Sequence, residues 1–207
     1  ITHSGSENLK QNLVVRYIPG GANQIICNNI LNSSYLDSDN HYFWLDGDQN
    51  TNVSESNNLM NYLENGVVIS DKIPESDNKN LDDIIKLITG CPIKFNVSGN
   101  KGQKNNIELI AKQRSFIDYW AKYVSYLPFP TPEFFLANLC NSVDREGYDF
   151  SKDGNGKEYF RKKTQVALGI ENITSEDIFQ EQRRAVSKIQ PESSMFQCIK
   201  EKLEALF

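Results

Sequence analysis

Residues 41–48 read His-Tyr-Phe-Trp-Leu-Asp-Gly-Asp, an apolar run that stops abruptly on two carboxylates. An aromatic and aliphatic run of this length, bounded by Asp and Gly, predicts a buried strand over His41–Leu45 with a sharp turn at its carboxyl end. Two similar runs flank it. Leu13–Ile18 (Leu-Val-Val-Arg-Tyr-Ile) halts at Pro19-Gly20-Gly21, and Tyr123–Leu127 (Tyr-Val-Ser-Tyr-Leu) halts at Pro128-Phe129-Pro130-Thr131-Pro132-Glu133. Between the first two runs, Ala22–Leu31 carries apolar residues at positions 22, 25, 26, 27 and 30, a helical spacing. Strand, helix and strand in so short a span predict a βαβ unit with parallel strands.

The remaining segments complete an α/β expectation. Helices are predicted over Leu81–Ile88, Asn106–Lys122, Glu133–Val143, Lys157–Leu168, Ser175–Ile189 and Glu192–Leu206, with a short one at Leu59–Glu64. Asp82 and Asp83 suit the positive end of a helix dipole. Thr131 suits a cap, and Pro132 suits the first helical position. Ile93–Val97 alternates like a strand, and residues 70–80 read as a polar, mobile link. The expected fold is therefore a small parallel sheet flanked by helices, followed by an all-helical segment. The expected domains are 1–143 and 144–207.

Composition narrows the function classes. Of the 207 residues, 39% are hydrophobic and the net charge is −5, so a membrane span is not expected and DNA contact is not favoured by charge alone. The chain begins at Ile1 rather than Met and reads as part of a longer protein. Cys27, Cys91, Cys140 and Cys198 are widely spaced, with only His3 and His41 to join them, so a zinc site is not expected and free thiols in a reducing cytoplasm are. The two histidines do not assemble a Ser-His-Asp arrangement. Asp149–Phe160 opens with the spacing of an EF-hand loop, but Phe160 stands where the bidentate glutamate belongs, so a polar turn is expected.

Asp46-Gly47-Asp48 is readable as a surface turn or as a metal-binding corner. The carboxyl edge of an open α/β sheet is where such folds bind ligands. Side chains two apart on an extended chain point the same way. Like charges held together call for a neutralising cation, and a hard divalent ion takes oxygen ligands. Glu133 would lie on the same edge if the 123–127 strand runs parallel to the Asp46 strand. Lys157, Arg161, Lys162 and Lys163 form a basic helical face, readable as solvated or as phosphate-binding.

Taken in order, the strand ends at Pro19-Gly20-Gly21, Leu45-Asp46-Gly47-Asp48 and Leu127-Pro128 with Pro132-Glu133 resemble a Toprim domain. The resemblance spans about residues 12–143 and is closest to the nuclease half of the OLD (overcoming lysogenisation defect) family of ATP-dependent endonucleases. It implies Mg²⁺ or Mn²⁺ held by Asp46 and Asp48, with Glu133 as a further ligand, and phosphodiester cleavage of DNA in anti-phage defence. It also implies Lys162 or Lys163 on the scissile phosphate, an ABC-type ATPase fused upstream or in another chain, a homo-oligomer and a cytoplasmic location. A Toprim domain opens with a strand ending in Glu-Gly. Here Glu7 precedes Asn8, so that glutamate is expected upstream, or the domain is degenerate. Two other functions fit the residues: a nucleotide-sugar glycosyltransferase using Asp-x-Asp to hold a metal, and a non-catalytic interaction domain.

Overall fold

The computed structural model describes residues 13–16, 18, 20–36, 41–50, 60–64, 67–74, 80–98, 103–139, 155–190 and 194–204. The chain divides into two compact units. One is Tyr17–Tyr126, and the other is Leu127–Phe207 together with Ile1–Arg16.

The first unit opens with helix α1. It is α-helical over Ala22–Gln24, π-helical over Ile25–Ile30 and α-helical again over Leu31–Tyr35. Its apolar spacing buries Ile26, Ile30 and Leu31. Strand β1 follows at Phe43–Leu45 with Leu45 buried, and then a 3₁₀ turn at Gly47–Gln49. A 3₁₀ turn at Met60–Tyr62 leads into β2 (Leu63–Glu64), which pairs antiparallel with β3 (Val67–Val68). Helix α2 (Leu81–Thr89) has Asp82 and Asp83 in its first turn and buries Leu81, Ile84, Ile85 and Ile88. It stops at Gly90, whose φ of 73° is the left-handed cap that glycine adopts without penalty. Helix α3 (Gln103–Tyr123) runs directly into β4 (Val124–Tyr126).

Strands β1 and β4 pair in parallel, with Phe43 opposite Val124, Trp44 opposite Ser125 and Leu45 opposite Tyr126. Phe116, Ile117, Tyr119, Trp120 and Tyr123 of α3 pack with the buried residues of α1, β1 and α2 into one core. Each large side chain so buried contributes about 1.5–3 kcal/mol.

The second unit is helical throughout its described regular elements. Phe129 stacks on Phe135 with ring centroids 4.3 Å apart. Helix α4 (Pro132–Leu139) is capped as its sequence predicts: the Phe134 amide donates to Thr131 Oγ1 at 3.2 Å. Helix α5 (Asn155–Leu168) ends at left-handed Gly169. Helix α6 (Ser175–Ser187) begins with a reciprocal capping box between Thr174 and Asp177, and α7 spans Ser194–Glu204. Ala137, Tyr159 and Phe160 form the small core, with Leu136, Ile178 and Ala185 against it.

The protein is thus mixed α/β, mostly helical, with a two-stranded parallel sheet. Three local expectations are corrected. Residues 13–16 and 18 form no strand, and Val14 and Val15 are 76% and 62% exposed. β-Branching favours an extended backbone, but a strand also needs a partner ladder, and the parallel neighbour of β1 is β4. Ile93–Val97 keeps its alternating burial without pairing as a strand. Within 70–80, Ser70 and Ile73 are buried, because α3 supplies hydrogen-bond partners to this polar stretch. Among the described residues no helix is long and apolar enough to cross a membrane.

Candidate metal centre

The parallel pairing brings the carboxyl ends of β1 and β4 to the same sheet edge. Leu45 anchors the end of β1 in the core, and the chain emerges at Asp46, still extended with φ −59° and ψ 146°. Gly47–Gln49 then closes a 3₁₀ turn: the Gln49 amide donates to Asp46 O at 3.0 Å and the Asn50 amide to Gly47 O at 3.1 Å. Asp46 and Asp48 are both exposed. Asp48 Oδ1 accepts from Gln49 Nε2 at 3.0 Å. The extended-chain rule that puts residues two apart on one side does not carry across this corner, because Asp48 belongs to the 3₁₀ turn. The donors are carboxylate oxygens in contact with water. Such a set fits Mg²⁺ or Mn²⁺, which bind through one or two carboxylates and keep several waters.

Asp46 and Asp48 belong to the unit Tyr17–Tyr126, whereas Glu133, Lys162 and Lys163 belong to the helical unit. Glu133 is half-buried in the first turn of α4. Lys162 and Lys163 lie in α5, but their surroundings differ. Arg161 grips Glu158 with two hydrogen bonds of 3.0 Å, and Lys162 Nζ lies 3.5 Å from the same carboxylate. The Arg161 guanidinium, more than Lys162, holds the Glu158 carboxyl below the usual range. Lys163 Nζ donates to Tyr159 Oη at 3.2 Å and stands over the same ring, 5.4 Å from its centroid. The basic face is therefore partly compensated within its own helix. Among the described residues no three His, Cys, Asp or Glu side chains cluster as a metal site. The EF-hand-like opening at Asp149–Gly154 lies outside the described residues, as does Cys140; Asn155–Phe160 is helical.

Comparison of the chain with protein-family models, with curated proteins and with solved structures finds no match.

One feature of the first unit escaped the sequence reading. A cleft of about 630 Å³ between α1 and α3 is lined by Tyr35, Asn96, Glu108, Lys112 and Ser115 among others. Lys112 pairs with Glu108 at 2.7 Å, donates to Asn96 O and lies over the Tyr35 ring. Glu108 also accepts from the Ser98 amide at 3.2 Å, and these partners, Lys112 first, keep its carboxyl below the usual range. The only sequence signal was the i,i+4 spacing of Glu108 and Lys112. The cleft's charges compensate one another and present no activated nucleophile.

Proposed function

We propose that this chain is the nuclease part of an OLD-like, Toprim-type ATP-dependent endonuclease that cleaves DNA phosphodiesters in anti-phage defence. One observation carries the reading: Asp46 and Asp48 stand exposed at the carboxyl end of β1, in a parallel pair with β4. That edge is the ligand-binding edge of open α/β sheets. Asp46 and Asp48 would hold the divalent cation, with Glu133 as a further carboxylate. The cation, when bound, supplies an activated water and stabilises charge developing on the phosphate. Lys162 or Lys163 would neutralise the scissile phosphate. An ABC-type ATPase, fused or separate, and a homo-oligomer in the cytoplasm complete the proposed assembly.

The test uses Asp46→Asn and Asp48→Asn in the full-length protein. Each should weaken Mg²⁺ or Mn²⁺ binding in isothermal titration and abolish metal-dependent plasmid cleavage, with unchanged circular dichroism. Wild-type cleavage by both variants would overturn the assignment. Absence of any cation binding by the unmutated protein would favour a non-catalytic interaction domain.

A further inference from the structure

The segment Ile93–Val97 has the pattern of a strand but pairs with none. Pro92, Lys94, Asn96 and Ser98 are exposed, while Ile93, Phe95 and Val97 are half-buried, the alternation that an extended chain imposes. Ile93 and Phe95 pack against the core of the first unit, and the Phe95 ring meets Phe116 of α3 edge-on, with centroids 5.7 Å apart. In an extended chain the amide and carbonyl of one residue point to one edge, and those of the next residue to the other. Side chains already occupy one edge. The Asn96 amide donates to Tyr35 Oη of α1 at 3.3 Å, the Asn96 carbonyl accepts from Lys112 of α3, and the Ser98 amide donates to Glu108 Oε2 at 3.2 Å. The other edge carries the amides and carbonyls of Ile93, Phe95 and Val97, which make no hydrogen bond among the described residues. An edge in this state is a template for a further strand.

We propose that Ile93–Val97 pairs antiparallel with the same segment of a second copy of the chain, about a two-fold axis at Phe95. The sequence selects this occupant. Ile-Lys-Phe-Asn-Val places apolar residues at 93, 95 and 97 and polar ones at 94 and 96, so the segment is complementary to its own reverse. In this register Phe95 faces Phe95 of the second copy, Ile93 faces Val97, and Lys94 faces Asn96. The contact is isologous, the form that closes a symmetric dimer. The outward amides and carbonyls of both copies then form about six hydrogen bonds. The aromatic pair and the two β-branched pairs lie on the core side, where such neighbours stabilise a sheet. On the solvent side each lysine meets a neutral amide, so no like charges oppose. The pairing does not depend on the metal chemistry proposed for Asp46 and Asp48, and it supplies an interface for the proposed homo-oligomer.

The experiment measures the dimer dissociation constant of the full-length protein by sedimentation equilibrium. Asn96→Lys sets a lysine opposite Lys94 at both ends of the pair and should weaken the dimer by roughly two- to thirtyfold. Adding Lys94→Glu to that variant restores opposite charges and should recover the dimer. Both positions are exposed, so the core is untouched. Hydrogen exchange on the wild type gives a second measurement that needs no variant. The Ile93, Phe95 and Val97 amides should gain protection as protein concentration rises, whereas the Asn96 and Ser98 amides, already bonded, should not change. A protein that stays monomeric at every concentration overturns the proposal, whether or not another polypeptide takes this edge. So does a dimer indifferent to Asn96→Lys, a loss that the double variant does not recover, or exchange at Phe95 that ignores concentration. If Asn96→Lys fails to fold, the wild-type exchange pattern decides.

Discussion

Asp118 holds Ser70 across 48 residues of chain: its Oδ1 accepts the Ser70 amide at 3.1 Å and its Oδ2 the Ser70 hydroxyl at 2.6 Å. One turn earlier on α3, Arg114 donates to Ser70 O at 2.6 Å and to Ile73 O at 2.8 Å. Two neighbouring side chains of one helix thereby satisfy the backbone of a segment whose Ser70 and Ile73 are each only 2% exposed.

Removing Asp118 should be costly for that reason. Asp118→Ala leaves the buried Ser70 amide and hydroxyl without their acceptor, a loss of about 1–3 kcal/mol. Ser70→Ala removes the hydroxyl as well as its need for a partner, and should cost less. Urea unfolding of the two variants reports the order directly. Equal stability of Asp118→Ala and the wild type would show that the segment is not held by α3.

Gly156 makes the sharper packing prediction. A Cβ placed there would lie 2.5 Å from the Phe134 amide nitrogen and 2.6 Å from the Glu133 carbonyl carbon, so the start of α5 sits directly against the backbone of α4. Backbone cannot rotate away as a side chain can. Gly156→Ala should therefore separate the two helices and destabilise the helical unit by at least about 1–3 kcal/mol. Gly21→Ala meets nothing within 4 Å and is the control. Thermal melts followed by circular dichroism distinguish them. Like stability of the two variants would refute the close approach.

These contacts mark the boundary between what the residues announce and what the fold decides. The apolar run before Asp46 announced β1, and Thr131-Pro132 announced the start of α4, because both signals are local. Leu13–Ile18 carries the same β-forming composition as β1, but its described residues 13–16 and 18 lack a ladder, since pairing depends on a strand elsewhere; β1 took β4 instead. Residues 70–80 read as a polar, mobile link because nothing local shows that Asp118 and Arg114 of α3 satisfy the buried Ser70 and Ile73. The carboxylates of the candidate site were legible at a strand end, yet the 3₁₀ turn that redirects Asp48 was not.

Tyr126 provides a test in alkaline solution. Burial, only partly offset by hydrogen bonding with Trp120, pushes its phenol up to about 12, and its hydroxyl donates to Ile88 O at 3.4 Å. The folded protein thus keeps a proton that the unfolded chain releases near the ordinary value of 10.0. The stabilisation is present in full below pH 10.0 and is lost as pH rises from there towards about 12. In a phenolate absorbance titration, subtracting Tyr126→Phe from the wild type should isolate one late transition near pH 12. Tyr126→Phe should also show a shallower loss of stability above pH 10.0. A difference transition centred on pH 10.0 would place the phenol in water.

The two candidate lysines separate by environment. Lys163 is committed to Tyr159, a core residue, by a hydrogen bond and by its position over the ring. Lys162 has a side chain 56% exposed and a looser contact with Glu158, whose carboxylate Arg161 already engages with two shorter bonds. A phosphate competes more readily for Lys162 than for Lys163, since moving Lys163 sacrifices contacts of roughly 0.5–1 kcal/mol with the aromatic ring. On the proposed nuclease reading, Lys162→Ala in the full-length protein should lower the cleavage rate by about tenfold or more while leaving the melting temperature unchanged, the signature of a lost phosphate contact. Its cleavage should also depend less steeply on salt, because one cation fewer displaces counterions from the DNA. Lys163→Ala should instead lower the melting temperature and affect cleavage only in proportion to the folded fraction. Paired melting and cleavage measurements on both variants decide between them. A cleavage loss confined to Lys163→Ala at full stability would reverse the assignment.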